Sequence, residues 1–117
     1  MQKDYLQMRV LEVAPQVFAS GQLFVTDLDL IAKQGVRSIV CVRPDGEAPD
    51  QPLAVDLASA ADEHGIAFAH CPLDYKTITA EIANEFMQTC DRLKRPMLVC
   101  GRSGAHSTRA WETAESM

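Results

Sequence analysis

The sequence predicts an α/β fold in which a mainly parallel sheet is flanked by helices. Short apolar runs alternate along the chain with longer segments whose apolar residues recur at helical spacing, and glycine and proline separate the two kinds of segment. This alternation favours crossover connections, which place parallel strands in one sheet with helices on its faces. The chain has 117 residues, 47% of them hydrophobic, which suffices for one core. Residues 1–117 are therefore interpreted as a single domain.

The first part of the chain is predicted to form a strand, a helix and a second strand. Residues 16–20 form the first strand. Thr26 then caps a helix that continues to about Gln34, where Gly35 ends it. The apolar run at residues 37–42 is typical of a buried strand.

The middle of the chain is predicted to contain a long loop, a helix and a third strand. Residues 43–52, RPDGEAPDQP, hold three prolines and one glycine, which exclude regular structure. Apolar residues recur at helical spacing from Leu53 to His64, and residues 66–71 form the next strand.

The last part is predicted to contain a helix, a strand and a final helix. Thr79 caps a helix that extends to about Lys94. Residues 96–100 form the last strand, and a helix runs from Ser107 to about Glu115. In parallel sheets, ligands bind beyond the carboxyl ends of the strands, so a site is expected where three loops meet. These loops are residues 43–52, 72–78 and 101–106.

Charge and composition exclude several classes of function. The formal net charge of −5 opposes binding to nucleic acid or to an anionic membrane. No apolar run approaches the roughly 18 residues of a membrane span, and the first ten residues have no apolar core typical of a signal peptide. The four cysteines form no CxxC pair, so neither a metal site nor a disulfide scaffold is indicated. We expect a cytoplasmic protein without metal or cofactor, and its oligomeric state is left open.

The stretch LVCGRSGAHS, residues 98–107, is the strongest candidate for chemistry. Cys100 ends an apolar strand ahead of a loop and a helix, where backbone N–H groups and the helix dipole stabilise a thiolate or a bound anion. Cys100 is therefore the predicted nucleophile. An ordinary strand-to-helix turn is the alternative interpretation. The predicted anion-binding residues are Gly101, Arg102, Ser103, Gly104, Ala105, His106 and Ser107, of which Ser107 caps the helix or bonds the thiolate.

Residues of the other two loops are candidates for supporting roles. Asp74 is placed to act as a general acid, although an exposed turn residue explains it equally well. Asp45 is a second candidate acid or an ordinary Asp-Gly turn residue. Arg43 holds a carboxylate or the anion, or is solvated. Cys71 is expected to approach Cys100 closely enough for disulfide or persulfide exchange if their strands are neighbours.

Three sequence features together resemble one bacterial family. They are RPDGEAPDQP after a strand, SGQL at residues 20–23, and the pattern of Arg102, Ser103, Gly104, Ser107 and Trp111. These features resemble the phosphatase-like domain of the beta-lactamase-hydrolase-like family over nearly the whole chain. The resemblance implies a fold similar to dual-specificity protein tyrosine phosphatases. Members of this family are described as phosphatase-like or as sulfurtransferases.

The candidate loop departs from the pattern of that family. The family's loop resembles C-R-S-G-x-R-S, and on this pattern Gly101 falls at the cysteine and His106 at the second arginine. If Cys100 instead begins a C-x5-R pattern, Ser107 is placed correctly, but His106 again replaces the arginine. An imidazole offers one donor to an anion where a guanidinium grips two oxygens. Weaker anion binding is expected.

The sequence leaves three functions open. The first is a phosphatase, of full or impaired activity, in which Cys100 forms a phosphocysteine and Asp74 protonates the leaving group. The second is a sulfurtransferase that carries a persulfide on Cys100. The third is a non-catalytic anion-binding or interaction module. The expected partner is a phosphorylated or persulfide-bearing small molecule or protein.

Overall fold

The computed structural model describes residues 10–117. Five strands and four α-helices lie within this range. The strands are β1 (Leu11–Ala14), β2 (Val17–Ser20), β3 (Ser38–Cys41), β4 (Ala67–His70) and β5 (Met97–Cys100). The helices are α1 (Leu28–Lys33), α2 (Ala54–Glu63), α3 (Ala80–Asp91) and α4 (Gly104–Ser116), and a 3₁₀ turn at Val25–Asp27 precedes α1.

The strands form one sheet in the order β1-β2-β5-β3-β4. β2, β5, β3 and β4 are parallel, and β1 pairs with β2 in the antiparallel direction. The predicted α/β fold with a mainly parallel sheet is therefore confirmed. β1 was not predicted, because its residues are half exposed and its four residues are too few for a clear alternation. Gln16, with φ of 59°, makes the turn between β1 and β2.

Helices cover both faces of the sheet, and strand alternation divides the core into two clusters. The first face packs against α1 and α2 and includes Phe18, Ile39, Cys41, Leu98, Cys100, Leu28, Ile31 and Leu57. The second face packs against α3 and α4 and includes Val17, Val40, Val42, Met97, Val99, Phe86, Cys90 and Trp111. A residue's position within its strand thus decides which pair of helices its side chain contacts.

Two helix starts differ from the prediction, and α3 ends at Asp91 rather than at about Lys94. Thr26 does not cap the first helix, because the Asp27 carboxylate accepts a hydrogen bond from the backbone N–H of Phe24 at 2.8 Å and a 3₁₀ turn precedes α1. The last helix begins at Gly104 rather than Ser107. Its cap is Ser103, whose Oγ accepts a hydrogen bond from the backbone N–H of His106 at 3.1 Å. The loop after β5 is therefore three residues long.

Thr79 caps α3 as predicted. Its Oγ1 accepts a hydrogen bond from the backbone N–H of Ile82 at 3.2 Å. This bond satisfies one of the free N–H groups of the first helical turn. None of the helices within residues 10–117 is both long enough and apolar enough to cross a bilayer.

Candidate functional site

The three loops predicted to meet line one open pocket of about 200 Å³ at the carboxyl edge of the sheet. The first loop contributes Arg43 and Glu47, and the second contributes the segment 73–76. Arg102 and His106 come from the loop after β5 and the first turn of α4. Val42 and Ala110 also line the pocket, and both belong to the core face covered by α3 and α4. The pocket therefore lies on the α3/α4 side of the sheet.

Basic side chains outnumber acidic ones around this pocket, although the whole chain is acidic. Arg43, Lys76 and Arg102 line it together with Glu47 and Asp74. The Arg43 side chain is only 11% exposed and its guanidinium is already paired, since Nε donates to Glu47 at 2.8 Å. Arg102 and Lys76 form no ion pair within residues 10–117. These two cations are the ones available to an anionic ligand.

The engaged guanidinium of Arg43 holds the first loop in place. Its Nη1 donates a hydrogen bond to Oε1 of Gln22 at 3.0 Å, which ties the loop to the segment after β2. Gln22 is one of the SGQL residues that the sequence singled out, and this bond is the contact it makes with the RPDGE loop. Arg43 therefore contacts a carboxylate, which was one of its predicted roles.

One wall of the pocket is a stack of side chains on Tyr75. The rings of Tyr75 and His106 meet edge to face with centroids 5.7 Å apart. The guanidinium of Arg109 lies 5.6 Å from the centre of the same ring. Ser103 Oγ lies 2.8 Å from Nδ1 of His106 and fixes the imidazole from the other side. The histidine that replaces an arginine is thus held at the pocket by two neighbours.

Cys100 lies on the opposite face of the sheet from the pocket. Its side chain is 1% exposed and belongs to the core cluster beneath α1 and α2. The pKa of the Cys100 thiol is raised well above its ordinary value, chiefly by its interaction with the Cys41 thiol and secondly by burial. A nucleophilic cysteine needs an accessible thiolate. This geometry argues against the predicted role of Cys100 as nucleophile.

The position one residue later faces the pocket side. A Cβ atom built on Gly101 would lie 2.7 Å from Ser107 Oγ and 3.1 Å from Val42 Cγ2, both on the α3/α4 face. Because side chains alternate along a strand, moving a cysteine from position 101 to position 100 turns its thiol to the other face. A cysteine at position 100 rather than 101 therefore lies outside the pocket.

Ser107 does not bond a thiolate. Its Oγ donates to the carbonyl oxygen of Ser20 at 2.7 Å in a buried contact between α4 and β2. The predicted anion-binding loop does not form a single cradle either. Gly104 and Ala105 line a second, more apolar cavity against Leu11 of β1, whereas Arg102 and His106 line the first.

The two candidate acids have different surroundings. Asp74 lines the pocket, and its Oδ1 accepts a hydrogen bond from the backbone N–H of Lys76 at 2.9 Å. Oδ1 of Asp45 accepts a hydrogen bond at 2.9 Å from the backbone N–H of Ala54, which is the first residue of α2. Asp45 thus stabilises the start of α2, where a carboxylate is favoured, and is absent from the pocket lining.

Replacing Asp45 with alanine is expected to lower the free energy of unfolding by about 1 kcal/mol, because α2 loses a cap-like hydrogen bond. Phosphate binding should not change. Urea denaturation measures the first effect and a phosphate titration the second. Asp50→Ala, in the same loop, is the matched control. Loss of phosphate binding in Asp45→Ala alone would contradict this assignment.

The predicted approach of Cys71 to Cys100 is wrong. β3 lies between β4 and β5, so Cys41 is the cysteine beside Cys100. Cys71 packs in the cluster on the α3/α4 face, where burial raises the pKa of its thiol. No functional role was predicted for Cys41 from the sequence. One signal in the sequence could have found the pair, since Cys41 lies one residue before the end of an apolar run and Cys100 ends another.

The chain matches the family model described as "Beta-lactamase hydrolase-like protein, phosphatase-like domain" over residues 7–117. It is 26% identical over 110 residues to the beta-lactamase hydrolase-like protein of Agrobacterium fabrum, and the match covers 94% of this chain and 26% of that protein. The beta-lactamase hydrolase-like protein of Xylella fastidiosa (strain 9a5c) is 29% identical over 108 residues, and the match covers 92% of this chain and 25% of that protein. The chain thus spans about a quarter of the length of these relatives.

Solved structures show the same fold. A proposed phosphatase of Neisseria meningitidis superposes with a TM-score of 0.78 and 27% identity, covering 86% of this chain and 72% of that one. Tk-PTP in its active form superposes with a TM-score of 0.60 and 17% identity, and the match covers 81% of this chain and 63% of Tk-PTP. At that identity, the likeness to Tk-PTP concerns the fold alone.

Proposed function

Because the chain belongs to the phosphatase-like domain family of beta-lactamase hydrolase-like proteins, we propose that it binds a phosphorylated ligand at the pocket without turning it over through Cys100. One observation carries this proposal. The Cys100 thiol lies in the core on the α1/α2 face, whereas the pocket lies on the α3/α4 face. The third of the functions left open by the sequence is the one this geometry favours.

The side chains of the pocket support binding of a tetrahedral anion. Arg102 and Lys76 supply positive charge without an internal ion-pair partner among the described residues. A hydrogen bond between a charged group and its partner contributes about 1.5 to 3 kcal/mol. His106 adds a polar group held by Ser103 and Tyr75. This set favours a phosphate group over a neutral ligand.

Turnover through a phosphocysteine or a persulfide meets one obstacle in both cases. The phosphorus or sulfur of the ligand would have to reach a sulfur that is 1% exposed and on the far side of the sheet. The high pKa of Cys100 adds a second obstacle, because the thiolate is the reactive form. Asp74 could still donate a proton in the pocket, but the Cys100 thiol lies on the other face of the sheet.

The proposal is tested by titrating the full chain with phosphate and recording its amide NMR spectrum at each step. Phosphate should shift the resonances of residues 73–76 and 101–106. Replacing Arg102 with alanine should raise the Kd at least about ten-fold, because it removes a charged contact. Arg92→Ala is the matched control, since Arg92 is exposed and follows α3 away from the pocket. An equal Kd in both variants would overturn the assignment of the pocket.

The absence of turnover is tested separately. Hydrolysis of para-nitrophenyl phosphate by the wild type should not exceed that by Cys100→Ala, with the NMR spectrum used to verify the fold of the variant. Exposure to a small-molecule persulfide should leave no extra sulfur on Cys100 in the intact mass. A phosphorylated or persulfidated Cys100 in the wild type would refute this part of the proposal and restore one of the cysteine mechanisms.

A further inference from the structure

Cys41 and Cys100 are neighbours across two adjacent parallel strands. They pair in register as the last residues of β3 and β5. Adjacent strands lie about 4.8 Å apart, and disulfides join residues whose Cα atoms are about 4.4 to 6.8 Å apart. Both side chains point to the α1/α2 face and belong to one core cluster. The separation of the two residues and the direction of their side chains therefore suit a covalent bond.

The two thiols also interact electrostatically, since each one shifts the pKa of the other. The Cys41 thiol donates a hydrogen bond to the carbonyl oxygen of Arg43 at 3.7 Å. We propose that Cys41 and Cys100 form a reversible disulfide, a redox modification site directly beneath the two strand ends that carry the pocket loops. This proposal does not depend on the proposed function, because neither sulfur lines the pocket.

Electrostatics favour Cys41 as the sulfur that reacts first. The interaction with Cys100 lowers the pKa of the Cys41 thiol. The negative charge of a thiolate is therefore favoured on Cys41, while the Cys100 thiol keeps its proton. The two cysteines outside the pair differ, because burial raises the pKa of both, to about 12 for Cys90.

Hydrogen peroxide is an oxidant that balances the reaction. The Cys41 thiolate attacks one peroxide oxygen, so an S–O bond forms, the O–O bond breaks, and the leaving hydroxide takes up the proton lost by Cys41 to give water. The Cys100 sulfur then attacks the Cys41 sulfur. An S–S bond forms, the S–O bond breaks, and the second hydroxide leaves as water with the proton of Cys100. The two sulfurs lose two electrons to the peroxide.

The bond would connect the bases of two pocket loops. Cys41 precedes Val42 and Arg43, and Cys100 precedes Gly101 and Arg102. Both thiols are nearly inaccessible, with Cys41 3% and Cys100 1% exposed. Oxidation is therefore expected to be slower than that of an exposed cysteine and to follow the opening of these strand ends.

The experiment uses the full chain with Cys71→Ala and Cys90→Ala, which leaves Cys41 and Cys100 as the two cysteines. After peroxide treatment, the monomer is isolated, denatured, alkylated with iodoacetamide and weighed. The expected monomer has lost two hydrogen atoms and takes up no alkyl group, and it takes up two after reduction. Adding Cys41→Ala or Cys100→Ala to this background should abolish the loss. A monomer that keeps two alkylatable thiols, gains only oxygen, or forms only linked dimers would overturn the proposal.

The wild type provides a second measurement if the variant folds poorly. A non-reduced tryptic digest of the oxidised monomer should join the peptide of residues 95–102 to that of residues 38–76. The second peptide contains both Cys41 and Cys71, so the digest is repeated on the single variant Cys71→Ala. A link that survives in this variant supports the proposal. A link that disappears assigns the bond to Cys71 and refutes it.

Discussion

Replacing Gly101 with cysteine and His106 with arginine is expected to raise hydrolysis of para-nitrophenyl phosphate at least about a hundred-fold above the wild type, the scale of one preorganised transition-state donor. A side chain at position 101 is directed to the α3/α4 face, where Ser107 and Val42 lie and the pocket opens. We expect a thiol at this position to reach a phosphate bound in the pocket. The added arginine grips two oxygens of that phosphate, which imidazole cannot do.

The new side chain has a structural cost that the design must tolerate. The added Cβ lies 2.7 Å from Ser107 Oγ, so the hydroxyl must rotate and gives up its hydrogen bond to the Ser20 carbonyl. Crowding of this kind costs about 1 to 3 kcal/mol. That carbonyl still accepts a hydrogen bond from the Gly101 backbone N–H at 3.3 Å. The double variant is therefore expected to fold with reduced stability.

The matched control is Gly101→Ser with His106→Arg, which has the same shape and charge without the thiol. The control should remain at the rate of the wild type. Mass spectrometry of the acid-quenched cysteine variant should detect a phosphate on residue 101. If the serine and cysteine variants hydrolyse the substrate equally, the thiol does not cause the added activity. The hypothesis that the loop is inactive because it lacks a cysteine at position 101 is then wrong.

Replacing Trp111 with alanine is expected to lower the free energy of unfolding by about 3 to 5 kcal/mol. Trp111 is 1% exposed, and its ring packs edge to face on Phe86 of α3 with centroids 6.0 Å apart. Through this contact the side chain joins α4 to α3 within the cluster on the pocket side of the sheet. Alanine would leave a cavity there, and α4 carries His106 at its first turn.

The tryptophan also has an unusual feature that provides a control. Its Nε1 is buried and has no hydrogen-bond partner among the described residues. A buried donor without a partner is unfavourable, so Trp111→Phe should cost much less than Trp111→Ala. Glu112→Ala, on the exposed side of the same helix, should have little effect. Urea denaturation measures all three variants. Equal losses for phenylalanine and alanine would contradict the packing argument.

Local patterns in the sequence determined the secondary structure and the place of the pocket. The apolar runs that contain Cys41 and Cys100 are strands because they are short, apolar and bounded by loops. Thr79 caps α3 because its hydroxyl acts on a backbone N–H only three residues away. Alternation of strands and helices made the sheet mainly parallel, which brought the three loops together at its carboxyl edge.

The tertiary structure decided which of these residues serve the pocket. Strand alternation turns the Cys100 thiol to the α1/α2 core, and only the packed sheet shows that this face lies opposite the pocket. The strand order placed Cys41 rather than Cys71 beside Cys100. Asp45 contacts the start of α2, a segment nine residues further along the chain. Secondary structure depends largely on neighbouring residues, whereas contacts between segments far apart in the chain depend on packing. For this reason the sequence alone determined most of the elements, but not β1, which depends on its pairing with β2, and not the roles of the cysteines.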